Sequence, residues 1–291
     1  MPLSPNATCG AFRDCRLGNR DAIIESVRVN FVTFHKSGSQ WVRDVLTDPE
    51  LLGPSGLTRA STGINHFLEP WPKLPHNSFA GPIYGLSPEQ WECYSAADDK
   101  AVIVLRDPRD IVVSWADSIS FSHVDSAIVD LLREGLTTLN SRNRLLFGIA
   151  QFRFNSNSYR GWATRSPREN ECRTSYEKLV SSGAAEFIRI VRFLGWPVPD
   201  EQVANTVERH SFLARSGRRP GETDIHSHYR RGISGDWRNH FDRRVGELFE
   251  RALPGLVAAG AYEASNEWYR RLPERIPSLT DTEPESLPAA P

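Results

Sequence analysis

The chain has 291 residues, a formal net charge of −1 and 39% hydrophobic content. That suffices for one large α/β domain with a full core, and it leaves no global field to recruit nucleic acid or an anionic membrane, so any anion site must come from local clusters of Arg and Lys. The four cysteines, Cys9, Cys15, Cys93 and Cys172, form no CxxC pair, the N-terminus carries no apolar h-region, and no apolar run nears the ~20 residues that span a bilayer, so the reading is a reduced, cytoplasmic chain without a membrane anchor.

Residues 1–25 mix Pro, Gly, Asn and charge with little periodicity and read as a loosely ordered lead-in to a domain over 26–271. Val27, Val29, Phe31, Val32 and Phe34 are β-branched or aromatic, the pattern of a strand buried on both faces of a parallel sheet. The polar loop His35-Lys36-Ser37-Gly38-Ser39-Gln40 follows. Trp41, Val42, Val45 and Leu46 then recur at helical period to about Asp48, where Pro49 stops the helix. Such a loop aims backbone N–H groups and the positive end of a helix dipole at an anion such as phosphate, and Lys36 adds a full charge. The lysine precedes the glycine, with no glycine four to six residues earlier, so this is not a Walker A loop and an ordinary Mg²⁺–NTP site is disfavoured.

Between Ile64 and Gly85, Phe67, Leu68, Trp71, Phe79 and Tyr84 stand among Pro70, Pro72, Pro75 and Pro82. This reads as irregular, proline-stiffened backbone that either lines a pocket or is a surface loop pinned by hydrophobic anchors. Ala101–Leu105 is a second buried-strand pattern, followed by Arg106-Asp107-Pro108-Arg109-Asp110, with Pro108 suited to the first turn of a helix. An Arg at the strand's end and Ser114, two turns along that helix, are spaced to reach one phosphate; a salt-bridged helix start is the plainer alternative. Residues 124–150 read as amphipathic helical scaffold, Glu171–Ser175 as a short strand, Ala184–Leu194 as a helix closed by Gly195, and Val245–Ala259 as a final amphipathic helix. In His228–Phe241, Arg230 and Arg231 beside Gly232 form an anion clamp with close backbone approach. His226 and His228 lack a third metal ligand and read as loop. Residues 272–291 are rich in Pro and acid and read as a disordered tail.

Several of these segments resemble the cytosolic-type sulfotransferases. KSGSQW after a strand is similar to the family's 5′-phosphosulfate loop, TYPKSGTTW. LRDPRDIVVSW resembles the 3′-phosphate element RNPKDVAVSY with its Arg-to-Ser interval of eight, and RRGISGDWRNHF resembles RKGxxGDWKNxF. They arrive in the family's order over about residues 27–250. The resemblance implies an α/β, P-loop-like three-layer fold with a central parallel sheet and helices on both faces. It implies in-line transfer of a sulfuryl group from 3′-phosphoadenosine 5′-phosphosulfate (PAPS) to a hydroxyl or amine of a small hydrophobic or aromatic acceptor. Lys36, Ser37, Gly38, Ser39 and Gln40 would hold the 5′ side, and Arg106, Ser114, Arg230, Arg231 and Gly232 the 3′-phosphate. Trp41, Tyr176 and Phe212 would flank adenine. Lys36 and the loop amides would stabilise the leaving oxygen, with no metal required, since a sulfuryl group carries less charge than a phosphoryl group.

Two departures stand out. The family's general-base histidine, in a KTHLP-like stretch, is replaced by Pro82-Ile83-Tyr84-Gly85-Leu86-Ser87-Pro88. His66, within INHFLEP, is the preferred substitute, with His35 and Tyr84 as others. The family's dimer element KxxxTVxxxE is degraded, with Arg238, Asp242, Arg243 and Glu247 at its positions, which weakens the expectation of a family-type homodimer. The missing base also raises a catalytically inactive PAPS-binding or interaction protein as the rival. A P-loop kinase-like phosphotransferase fits the motif order less well.

Overall fold

The computed structural model describes residues 27–60 and 74–276. The lead-in at 1–25, most of the C-terminal tail, and His66, Phe67 and Trp71 lie outside the described residues. Five strands, β1 (Arg28–Thr33), β2 (Thr58–Ala60), β3 (Ser78–Tyr84), β4 (Lys100–Leu105) and β5 (Glu171–Ser175), form one sheet in the order β2-β3-β1-β4-β5. Every pairing is parallel.

Along β4 the alternation of side chains buries both faces. Ala101, Ile103 and Leu105 join one core cluster with Phe152, Trp162, Phe241 and Phe249, while Val102 and Val104 join another with Val42, Leu179, Phe187 and Val203. Each fully buried aliphatic side chain contributes about 1.5–3 kcal/mol relative to exposure. The helices at 108–117, 141–152 and 243–252 cover the first face, and those at 39–46, 184–194 and 200–209 the second. The three-layer expectation is met.

The strand order also positions the site. The chain leaves β1 to build β3 and β2 on one side, then crosses to lay β4 and β5 on the other. A crevice therefore opens between the carboxyl ends of β1 and β4, where doubly wound sheets bind ligands. The loop at 35–40 and Arg106 stand at those two ends.

Some local expectations differ from the structure. The segment read as irregular contains β3, with Phe79 fully buried against Trp196 rather than lining a pocket. Pro75, Asn77 and Pro82 disguised it, because proline and asparagine are rare in strands. The scaffold at 124–150 is two helices, Ala127–Thr137 and Ser141–Phe152, with Asn140 capping the second. The last amphipathic stretch likewise breaks, into Arg243–Ala252 and Leu256–Ala259, at Pro254 and Gly255. Pro49 both follows the first helix, which ends at Leu46, and starts a short turn of its own over Pro49–Leu52. Leu272 and Ile276 still pack against the core.

Candidate active site

A cleft of about 1150 Å³ opens above β1 and β4. It is lined by Lys36, Gly38, Ser39, Gln40, Trp41, Arg106, Ser114, Tyr176, Phe212, Arg230, Arg231 and Gly232, so segments separated by up to two hundred residues in sequence meet in one place. Ser37 alone of the expected nucleotide set is fully buried beneath the loop and does not line the cleft. Its backbone N–H donates to Phe34 O at 3.2 Å, closing the turn.

Arg106 joins the three motif segments. Its Nη1 donates to Lys36 O at 2.6 Å, its Nη2 to Ile233 O at 3.3 Å, and its guanidinium lies 4.3 Å over the Tyr176 ring. Asp110, one helical turn along, accepts from the backbone N–H groups of Gly235 and Trp237 at 2.6 and 2.8 Å and docks the third segment on the helix that follows β4. That helix starts as the sequence indicates, with Asp107 capping it and Pro108 in its first turn. Arg109 turns away from the cleft to Asp107 and Glu263 and lies 3.6 Å over Trp237. The RDPRD string thus serves both purposes: Arg106 faces the cleft while Asp107 and Arg109 lock the helix start.

Two glycines are required where backbone meets aromatic rings. Gly38 has φ +78°, and a Cβ there would stand 2.7 Å from Tyr176; Gly232 has φ +66°, and a Cβ would stand 2.3 Å from Phe212. Trp41 meets Tyr176 edge-on, ring centroids 6.5 Å apart. Lys36 itself has φ +66°, a strained conformation for a residue with a side chain, and the Arg106 bond to its carbonyl helps hold it.

Electrostatics divide the cleft. Arg230 and Arg231 both pair with Asp236, and Arg230 also reaches Asp117 at 3.1 Å. Burial alone would raise the Asp236 carboxyl, but hydrogen bonds from His240 and Asn239 and the Arg230 charge hold it well below the usual range. Lys36 is pushed down to about 7 by burial and by the Arg106 and Arg230 charges, which Asp117 offsets only in part. Burial, then His123 and Lys36, takes His35 down to about 3. His228 falls to about 4 through burial, Lys36, His123 and Arg43. The site is thus short of protons and rich in fixed positive charge, an arrangement suited to an anion.

At the end nearest Lys36, Tyr84 stacks on His35 with ring centroids 3.8 Å apart and planes 11° apart. The Tyr84 hydroxyl lies 3.0 Å from Ser39 Oγ and accepts from Gln40 Nε2 at 3.2 Å. Asp110, Asp236 and His123 carried no assigned role in the sequence. The first two could have been found in RDPRD and GDW; His123 follows a helix with no motif around it. Among the described residues, no group of three His, Cys, Asp or Glu is placed to hold a metal ion. No described helix is long and apolar enough to cross a membrane.

A family model described as a sulfotransferase domain matches residues 92–258, more than half of the chain. The loop at 35–40 precedes that match. Sulfotransferase 2B1 of Mus musculus is 26% identical over 247 residues, covering 75% of this chain and 68% of that protein. An amine sulfotransferase of Oryctolagus cuniculus is 26% identical over 250 residues, covering 76% and 77%. The crystal structure of mouse sulfotransferase SULT7A1 complexed with PAP is similar in fold, with a TM-score of 0.57 at 18% identity, covering 81% of this chain and 87% of that one.

Proposed function

From the chain's membership of the sulfotransferase family, we propose that it moves a sulfuryl group from PAPS to the hydroxyl of a hydrophobic or aromatic acceptor. The observation that carries this reading is Arg106, which ties the Lys36 loop, the helix after β4 and the Arg230-Arg231-Gly232 segment around one cleft. The residues present fit a nucleotide with phosphate at both ends. Among the described residues, Arg106 Nε is buried with no partner, seven cationic side chains line the cleft, and Tyr176, Phe212 and Trp41 offer ring faces and edges.

In this reading PAPS supplies the sulfuryl group and departs as 3′-phosphoadenosine 5′-phosphate (PAP). Arg106, Ser114, Arg230, Arg231 and Gly232 hold the 3′-phosphate, and Trp41, Tyr176 and Phe212 flank the adenine. Ser39, Gln40 and the amides that follow Lys36 hold the 5′ side, with Ser37 bracing the turn from below. Lys36 carries its charge to the oxygen on which negative charge builds, where one such donor is worth ~3 kcal/mol. The ring row of Tyr84, His35 and Trp115 favours a flat acceptor.

Calorimetric titration with PAP, with and without Mg²⁺ and with ATP as control, tests the reading. Tight, Mg²⁺-independent binding that ATP does not reproduce is expected, followed by transfer of ³⁵S from labelled PAPS to a phenol. Preference for Mg²⁺–ATP would replace the reading with phosphoryl transfer.

A further inference from the structure

A hydroxyl that attacks sulfur must shed its proton to a neutral group within reach. Among the described residues, four histidines line the cleft: His35, His123, His210 and His228. The Nε2 of His210 is taken by Asp48 at 2.8 Å. The ring of His35 is covered by Tyr84 and packs on Trp115 at 5.0 Å. His228 sits two residues before Arg230, edge-on to Tyr229, and senses Arg43 as well as Lys36.

His123 is held differently. It ends the turn Ser118–Ser122, its ring meets Trp115 edge-on at 5.3 Å, and its Nδ1 lies 3.4 Å from Ser118 Oγ. Its backbone carbonyl accepts from Arg133 Nη2 at 2.8 Å. With the backbone clamped and Nδ1 beside Ser118, Nε2 is the nitrogen left for a substrate. His123 lines the same cleft as Lys36, His35 and His228, and its ring shares Trp115 with that of His35. Burial, Lys36 and Arg133 lower its proton affinity and keep it neutral near pH 7.

We propose that His123 is the general base that takes the proton of a phenolic acceptor. The inference rests on the sulfuryl-transfer reading above. The acceptor O–H proton passes to His123 Nε2 as the oxygen forms its bond to sulfur. The sulfur–oxygen bond to the 5′-phosphate breaks with its electron pair on the departing PAP, and the imidazolium returns the proton to solvent. The role requires the tautomer in which Nδ1–H donates to Ser118 Oγ, which makes Ser118 a positioning residue. A base of low proton affinity suits a phenol better than an alkanol.

His123→Ala and His123→Asn should bind PAP as the unaltered protein does, by calorimetry. With a weakly acidic phenol their turnover should fall about 100-fold, and with 4-nitrophenol, which needs no base, only a few-fold. Ser118→Ala should lose less, in the same direction. In the PAP complex, adding a phenol should move the ring ¹⁵N resonances of His123. Losses independent of phenol acidity, unchanged turnover, unmoved resonances, or a loss confined to His66→Ala or His35→Ala would overturn the assignment. If the unaltered protein binds PAP and sulfates no phenol, this inference alone falls; failure to bind PAP removes the donor reading with it.

Discussion

At the nucleotide end, the charged groups are bonded to partners on other elements: Arg106 to the carbonyls of Lys36 and Ile233, Asp110 to the amides of Gly235 and Trp237, and Arg230 and Arg231 to Asp236. At the sulfur end, Tyr84, His35, Trp115 and His123 meet mainly ring to ring, with few polar contacts. In the proposed reading the first end holds a constant ligand, and its bonding is over-determined. The second can vary with the acceptor, because rings in contact tolerate repacking that a buried charge network does not.

The comparison breaks most visibly at Lys36, where the two ends meet. Lys36→Ala should lower turnover by about 10²–10³-fold, measured by ³⁵S transfer, and retention of most activity would detach this lysine from the leaving oxygen. Next in size is Arg106→Ala. It removes a buried cation from Asp110 and unties three segments, so we expect roughly 3 kcal/mol lost in denaturant unfolding together with PAP binding weakened by more than tenfold. Loss of stability without loss of binding would make Arg106 purely structural.

The pH dependence sharpens the same contrast. Lys36 is lowered from 10.5 to about 7 in the free protein, so the folded state binds fewer protons there than the unfolded one between those values. Stability should therefore rise with pH across that window as the penalty of a buried ammonium is relieved. PAP binding needs the charged form, so its affinity should fall by up to about tenfold per pH unit above pH 7, with proton uptake seen in buffers of different ionisation enthalpy. Lys36→Met should abolish both slopes; a slope that persists would assign them to another group. The smallest effect is expected at Ser114→Ala, where loss of one hydroxyl donor costs about 1 kcal/mol, or roughly fivefold in PAP affinity, with turnover at saturation unchanged.

Much of the nucleotide end was legible because local rules and motif order agree there. A strand, a polar loop and a helix start can be read from Val27–Leu46, and the Arg106-to-Ser114 interval spans two helical turns. Less was legible where local preference opposes the fold. β3 holds Pro82 within it and follows directly on Asn77, and it is strand because it pairs with β1 and β2, a tertiary compensation that no window of sequence reports. The proposed base, His123, was equally hidden, since a histidine without a motif gains a role only from its neighbours.

The sequence by itself determined the family resemblance, the two buried strands that flank the crevice and the residues offered to phosphate, because these depend on period and spacing along one segment. The tertiary structure decided how they cooperate: that Arg106 binds the Lys36 and Ile233 carbonyls, that Tyr176 and Phe212 fill the space beside Gly38 and Gly232, and that His123 lines one cleft with Lys36, His35 and His228. Each of these joins residues far apart in sequence, and distance through space follows from packing and not from position along the chain.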